Sequence, residues 1–260
     1  MATFNIEDYL NSLPEDIEEL NISNKNITYI PSLERFRKLK EINCNNNKLT
    51  ILPILPNKLN ELNCNHNKLT SLPILPNTLK IIYCDNNKLT ILHNLPNKLE
   101  RLYCYNNKLT SLPILPNTLK ELFCSYNQLT RLPNLPNTLE ILSCGCNQLI
   151  SLPNLHNTLE IIYCSYNKLT SLPNLPNTLK ELFCDNNLLP FEDIKSWNQF
   201  NKFKETYYKL KYGRRLERYY IKNIRNKNIN EEMINIVYSP EYNFYKRLLN
   251  QDIIKMFNNN

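Results

Sequence analysis

The chain has 260 residues, with 31 Lys and Arg against 24 Asp and Glu for a formal net charge of +7, and it contains only two glycines, Gly145 and Gly213. So few glycines cannot build the paired glycine turns that cradle phosphates, and no run approaches the roughly 18 apolar residues of a membrane-spanning helix. Nine cysteines behind a start, MATFNIEDYL, that lacks a charged segment followed by an apolar run point to a reducing compartment, and a cytoplasmic protein is expected.

At the front, Asn5 is placed to cap a short amphipathic helix with Ile6 and Leu10 on one side. That helix runs into a divergent repeat of 22 residues, Ile17 to Lys38, in which Lys25 stands where the later units carry Asn. Residues 1–38 are therefore read as an N-terminal helical cap with a weak first repeat.

From residue 39 the sequence becomes periodic. Cys44, Cys64, Cys84, Cys104, Cys124, Cys144, Cys164 and Cys184 stand 20 residues apart without a slip. A fixed short period means that each unit is one small turn of chain that buries its apolar face only by stacking on its neighbours. Written from Leu59, the unit is LxxLxCxxNxLTxLPxLPNx, and units begin at Leu39, Leu59, Leu79, Leu99, Leu119, Leu139 and Leu159, with a truncated one at Leu179. The segment LxxLxC predicts a short strand whose alternation sends Leu62 and Cys64 inward and Glu61, Asn63 and Asn65 outward. The segment LPxLPN adds two inward leucines, while its prolines fix φ and remove backbone donors, so the opposite side of the coil should be extended and not helical. Asn47, Asn67, Asn87, Asn107, Asn127, Asn147, Asn167 and Asn187 form a second column whose amides can bond adjacent turns. The Asn-Asn runs before them supply tight turns that glycine would usually take.

The cysteine column is read as buried thiols. Neighbours about 4.8 Å apart on a linear ladder cannot surround one zinc tetrahedrally, and inward side chains on parallel strands point alongside each other, which strains a disulfide. Cys146 lies outside the column and is expected to be half-exposed. No cofactor, metal or catalytic constellation is indicated: His66, His93 and His156 occupy different places within their repeats and cannot converge.

Two surfaces stand out. The outward position between the inward Leu and Cys carries Tyr83, Tyr103, Phe123, Tyr163 and Phe183, with Tyr105 following on the same face. Large aromatics on a solvated sheet face are characteristic of interface hot spots, and they also strengthen a sheet by stacking on each other. The second surface is basic. Residues 1–190 hold 17 Lys and Arg against 16 Asp and Glu, whereas residues 191–227 hold 11 against 4, so the charge excess sits in one segment. There Arg214, Arg218, Lys222 and Arg225 recur at helical spacing, a stripe suited to phosphates of nucleic acid or acidic membrane and equally to the solvated side of a capping helix. Ser239-Pro240-Glu241 and Asn230 are helix starts, and residues 191–260 are read as a basic helical C-terminal cap.

With the unit written out, residues 39–190 resemble the short leucine-rich repeat class of bacterial effectors of the YopM and IpaH kinds, whose units also carry LPxLPxxLxxLxxxxNxLxxLP. The resemblance implies an α/β repeat fold: a right-handed leucine-rich repeat solenoid with a parallel β-sheet on its concave face, an extended polyproline-like convex side and a helical end. IpaH-like proteins append a ubiquitin-ligase domain that works through a cysteine; no cysteine follows Cys184, so that activity does not carry over. YopM-like proteins scaffold host kinases without catalysis. The cysteine column and the Asn, Ile, Lys and Tyr bias resemble leucine-rich repeat proteins of giant viruses of amoebae, which implies a setting in host cytoplasm. The expected function is a non-catalytic module that binds a protein through the concave aromatics, with a nucleic-acid or acidic-membrane adaptor acting through the basic segment as the alternative.

Overall fold

In the computed structural model two compact units divide the chain at residues 202 and 203, and the structure describes residues 4–189, all within the first unit. The helical cap expected over 191–260, including Arg214, Arg218, Lys222 and Arg225, lies outside the described residues.

Helix α1 (Ile6–Ser12) starts as its sequence requires: Asn5 is extended, and its side-chain oxygen accepts from the backbone N–H groups of Glu7 and Asp8. Ile6 and Leu10 are buried in the core shared with the repeats. The far end of the helix is finished by Arg35, whose Nη2 donates to the carbonyls of Leu10 at 2.7 Å and Leu13 at 2.6 Å. The cation of the divergent repeat thus adds a second donor to Leu10 O, which already accepts from the Leu13 N–H, and supplies one to Leu13 O just past the helix end.

Among the described residues nine three-residue strands follow, one per repeat: β1 (Glu19–Asn21), β2 (Glu41–Asn43), β3 (Glu61–Asn63), β4 (Ile81–Tyr83), β5 (Arg101–Tyr103), β6 (Glu121–Phe123), β7 (Ile141–Ser143), β8 (Ile161–Tyr163) and β9 (Glu181–Phe183). They pair in parallel in sequence order, so eight full coils of a solenoid join the nine strands. Register is locked at the repeat period: Leu62 pairs with Ile82, and Ile82 with Leu102. The divergent unit joins through Leu20 paired with Ile42, which absorbs its two extra residues without breaking register. No helix occupies the return side of any coil among the described residues, as the paired prolines dictate.

The interior repeats as the sequence does. Leu59, Leu62, Cys64 and Leu69 are fully buried, Leu72 nearly so, and their equivalents in the other turns continue the core. Leu55, Leu115 and Leu135 complete it in their turns, while Leu75, Leu95, Leu155 and Leu175 pack against it partly buried.

The asparagine column holds the coils together. Asn107 Nδ2 donates to Cys84 O at 3.0 Å in the preceding turn and to Cys104 O at 3.2 Å and Tyr105 O at 3.2 Å in its own, while its Oδ1 accepts from Leu89 N at 3.0 Å. Asn67, Asn87, Asn127, Asn147 and Asn167 repeat the arrangement. The residue before each ladder asparagine is left-handed: Asn46, His66, Asn86, Asn106, Tyr126, Cys146, Tyr166 and Asn186 have φ between 50 and 57°. Asparagine tolerates that conformation, whereas Tyr126, Cys146 and Tyr166 occupy it at a steric cost.

A further column was hidden in the variable last position of the unit. Thr118 Oγ1 donates to Asn97 O at 3.0 Å and Leu99 O at 2.7 Å, and Thr78, Thr138 and Thr158 bond the preceding turn likewise. Coils in which Lys58 and Lys98 replace the threonine lack this hydroxyl.

Candidate functional site

The sheet presents three columns of side chains on its outer face. The central one runs Asn43, Asn63, Tyr83, Tyr103, Phe123, Ser143, Tyr163, Phe183, each in direct register with the next. Tyr83 and Tyr103 stack with ring centroids 4.7 Å apart at 18°, Tyr103 and Phe123 at 4.9 Å and 14°, and Tyr163 and Phe183 at 4.8 Å and 11°. These separations equal the strand spacing, so the sheet itself sets the stack. The rings bury their faces on one another and turn their edges outward, leaving Tyr83, Tyr103, Phe123 and Tyr163 half-buried and Phe183 exposed. Stacking and exposure therefore coexist on one ladder. Tyr105 lies apart from it, tilted against Tyr126 at 5.0 Å.

Polar groups fix the middle of the ladder. Arg101 Nε donates to Glu121 Oε1 at 3.0 Å, and the Tyr103 hydroxyl donates to Glu121 Oε2. Burial, and then the bond to Glu121, hold the Tyr103 phenol above its ordinary range. Burial, aided by Glu41 and opposed by Arg101, likewise raises the Glu61 carboxyl.

The change from asparagine to aromatic along the central column has a consequence one position further on. Asn43 and Asn63 each accept from the N–H two residues later, that of Asn45 and Asn65, at 3.2 Å. Tyr83 and Tyr103 carry no acceptor there, and the preceding turn supplies it: Asn65 Oδ1 accepts from Asp85 N at 2.6 Å, and Asp85 Oδ1 from Tyr105 N at 2.7 Å. Burial raises the Asp85 carboxyl to about 6, against the opposing effects of the Tyr105 N–H, His66 and Asn65.

Beneath the face lies the thiol column. Cys44, Cys64, Cys84, Cys104, Cys124, Cys144 and Cys164 are buried and unpaired, Cys184 is buried in line with them, and Cys146 is half-buried and outside it. Cys64 and Cys84 donate to the carbonyls of Tyr83 at 3.3 Å and Tyr103 at 3.2 Å in the next turn. Burial pushes the thiols of Cys44 and Cys124 up to about 12. A thiol so protonated is neither nucleophile nor metal ligand. Among the described residues no group of three or more His, Cys, Asp or Glu side chains is placed to hold a metal, and no helix is long and apolar enough to cross a membrane.

A family model described as leucine-rich repeats in two copies matches residues 97–137. The structure of a Shigella effector leucine-rich repeat domain is 33% identical over 64% of this chain and 74% of that one, with a TM-score of 0.55. This chain belongs to the leucine-rich repeat family. YopM from Yersinia enterocolitica WA-314 is 32% identical over 68% of this chain, with a TM-score of 0.61. The chain spans only 43% of that YopM structure. The functional domain of InlJ from Listeria monocytogenes, described as including a cysteine ladder, shares the fold at 24% identity over 68% of this chain and 46% of that one, with a TM-score of 0.55. Comparison with curated proteins gives no match. Leucine-rich repeat solenoids typically serve as non-catalytic scaffolds whose continuous sheet face binds other proteins.

Proposed function

We propose that this leucine-rich repeat protein is a non-catalytic interaction module that binds a protein partner across the outer face of its sheet, with Tyr83, Tyr103, Phe123, Tyr163, Phe183 and the neighbouring Tyr105 as contact residues. The observation that carries this reading is the continuous stack Tyr83, Tyr103, Phe123, pinned by Glu121 and still half-exposed. Rings already held by their neighbours lose little side-chain entropy on binding, and they offer apolar edges beside a hydroxyl, an arginine and a carboxylate. The similarity to YopM and to the Shigella effector domain supports a scaffolding role.

A photo-cross-linking residue at Asn63, on the face, tests this against one at Ile74, which is 94% exposed on the return side of the coil. Cross-links to a partner in amoeba cytoplasmic extract, the setting implied by the resemblance to amoebal-virus proteins, are expected from position 63 alone. The cysteine column supports a reducing, cytoplasmic site of action. The charge excess of residues 191–227 favours a second reading, an adaptor that holds nucleic acid or acidic membrane through Arg214, Arg218, Lys222 and Arg225. Binding to polyanions that weakens steeply between low and moderate salt tests it.

A further inference from the structure

The aromatic ladder is interrupted once. Phe123, Ser143 and Tyr163 stand side by side on β6, β7 and β8 in direct register. Phe123 is stacked on Tyr103 on one side and Tyr163 on Phe183 on the other, so each turns its remaining face toward the gap above Ser143. Two strand spacings separate those faces, about 9.6 Å. One flat ring placed midway would lie about 4.8 Å from each, the separation of the stacked pairs already in the ladder.

The surroundings of the gap are equally specific. Toward the start of the strands it is flanked by Ile141 and Ile161, both half-buried. Toward the end lie Ser125, Gly145 and Ser165, and the absence of a side chain at Gly145 widens the opening; a Cβ there would meet Ser165 O at 3.0 Å. The floor carries a hydroxyl pair, Ser125 Oγ and Ser143 Oγ, 2.8 Å apart. Either hydroxyl can donate in that bond, and with Ser125 as the donor the proton of Ser143 is left for a guest.

Resting on the reading of this face as a protein-binding surface, we infer that the gap above Ser143 is a receptacle for one aromatic side chain of the partner, a ring with a polar edge such as tyrosine, which completes the ladder between Phe123 and Tyr163. An aliphatic side chain would fill part of the volume but forfeit both ring contacts. A guanidinium is flat enough, yet the carboxylates bordering the gap are already engaged, Glu121 by Arg101 and Tyr103 and Asp185 by Ser165.

The test uses the full chain and three probes, N-acetyltyrosinamide, N-acetylleucinamide and N-acetylargininamide, read by saturation-transfer NMR titration. Two ring faces predict that the tyrosine amide binds about tenfold more tightly than the leucine amide. Ser143→Phe fills the gap with the chain's own ring and should abolish binding of the tyrosine amide while raising the melting temperature. Ser143→Ala, which leaves the gap open, should retain binding within about threefold, and Phe123→Leu, which removes one wall, should weaken it. Equal binding of the tyrosine and leucine amides, preference for the arginine amide, no binding by the unmodified chain, or full binding by Ser143→Phe would each overturn the inference. These outcomes are independent of protein capture: cross-links confined to Asn63 with no tyrosine amide bound would remove the receptacle and leave the face as the interaction surface.

Discussion

The backbone N–H of Tyr105 donates at 2.7 Å to the carboxylate of Asp85, one coil earlier, where Tyr103 has no side-chain acceptor to offer it. That bond keeps a carboxylate in a half-buried place where burial raises its pKa from 3.8 to about 6. The folded chain thus holds this proton more tightly than the unfolded chain does. Its contribution to stability is complete below about pH 4 and is lost as the pH rises through about 6. Asp85→Asn keeps an oxygen for Tyr105 and carries no charge. It should raise stability at pH 7 by about 1 kcal/mol after allowance for solvent screening, and leave it unchanged near pH 4. Urea unfolding of both proteins across that range measures the difference.

Removing a ladder amide should be among the costliest single changes. Asn107→Ala strips the partner from Leu89 N and weakens the satisfaction of three carbonyls in a dry interior. A loss of about 3 kcal/mol or more is expected, because buried polar groups left unpaired cost about 1–3 kcal/mol each. Equilibrium denaturation checks it, with Asn57→Ala, an exposed asparagine, as the comparison.

Tyr166 sits at φ 57° with more than half its surface exposed. The other coils place Asn at this position four times among Asn46, Asn86, Asn106 and Asn186. Tyr166→Asn should stabilise the protein by about 0.5–1 kcal/mol by relieving left-handed strain, and Asn86→Tyr should cost a similar amount. Thermal melts of the two variants should move in opposite directions.

Thiol reactivity should divide sharply. In the native protein Cys146, half-buried at a turn, is the one cysteine of the described residues expected to react promptly with Ellman's reagent, whereas the column is protonated and closed off. Titration in denaturant without reductant should then recover the column as thiols. A disulfide between Cys64 and Cys84 would contradict this.

Much of this was legible because a 20-residue period repeats its own proof. Strand positions, the inward Leu and Cys, the ladder Asn and the absence of helix on the return side all follow from residues that recur in every unit. Two features escaped because they sit at positions the repeat leaves variable. Thr118 and its equivalents bond the preceding coil only where Lys does not replace them. The acceptor that passes from Asn63 to Asn65 to Asp85 depends on what the neighbouring coil carries. The aromatics were expected both to face outward and to stack on one another, and parallel register at one strand spacing makes that stacking flat. The left-handed turns were expected from Asn-Asn pairs, yet His66, Tyr126, Cys146 and Tyr166 adopt them too, because stacked coils above and below impose the turn.

The most direct test of the central claim is partner capture by the full chain and by a Tyr103→Arg, Phe123→Arg double variant. Both rings are stacked, so the variant will also lose some stability. Thr138→Val, which removes two bonds on the other side of the coil, serves as a destabilised control with the face intact. The account predicts that capture persists with Thr138→Val and disappears with the double variant at temperatures where both are folded by circular dichroism. Capture that persists in the folded double variant, or that falls in both variants in proportion to their stability, would mean that the aromatic ladder only strengthens the sheet.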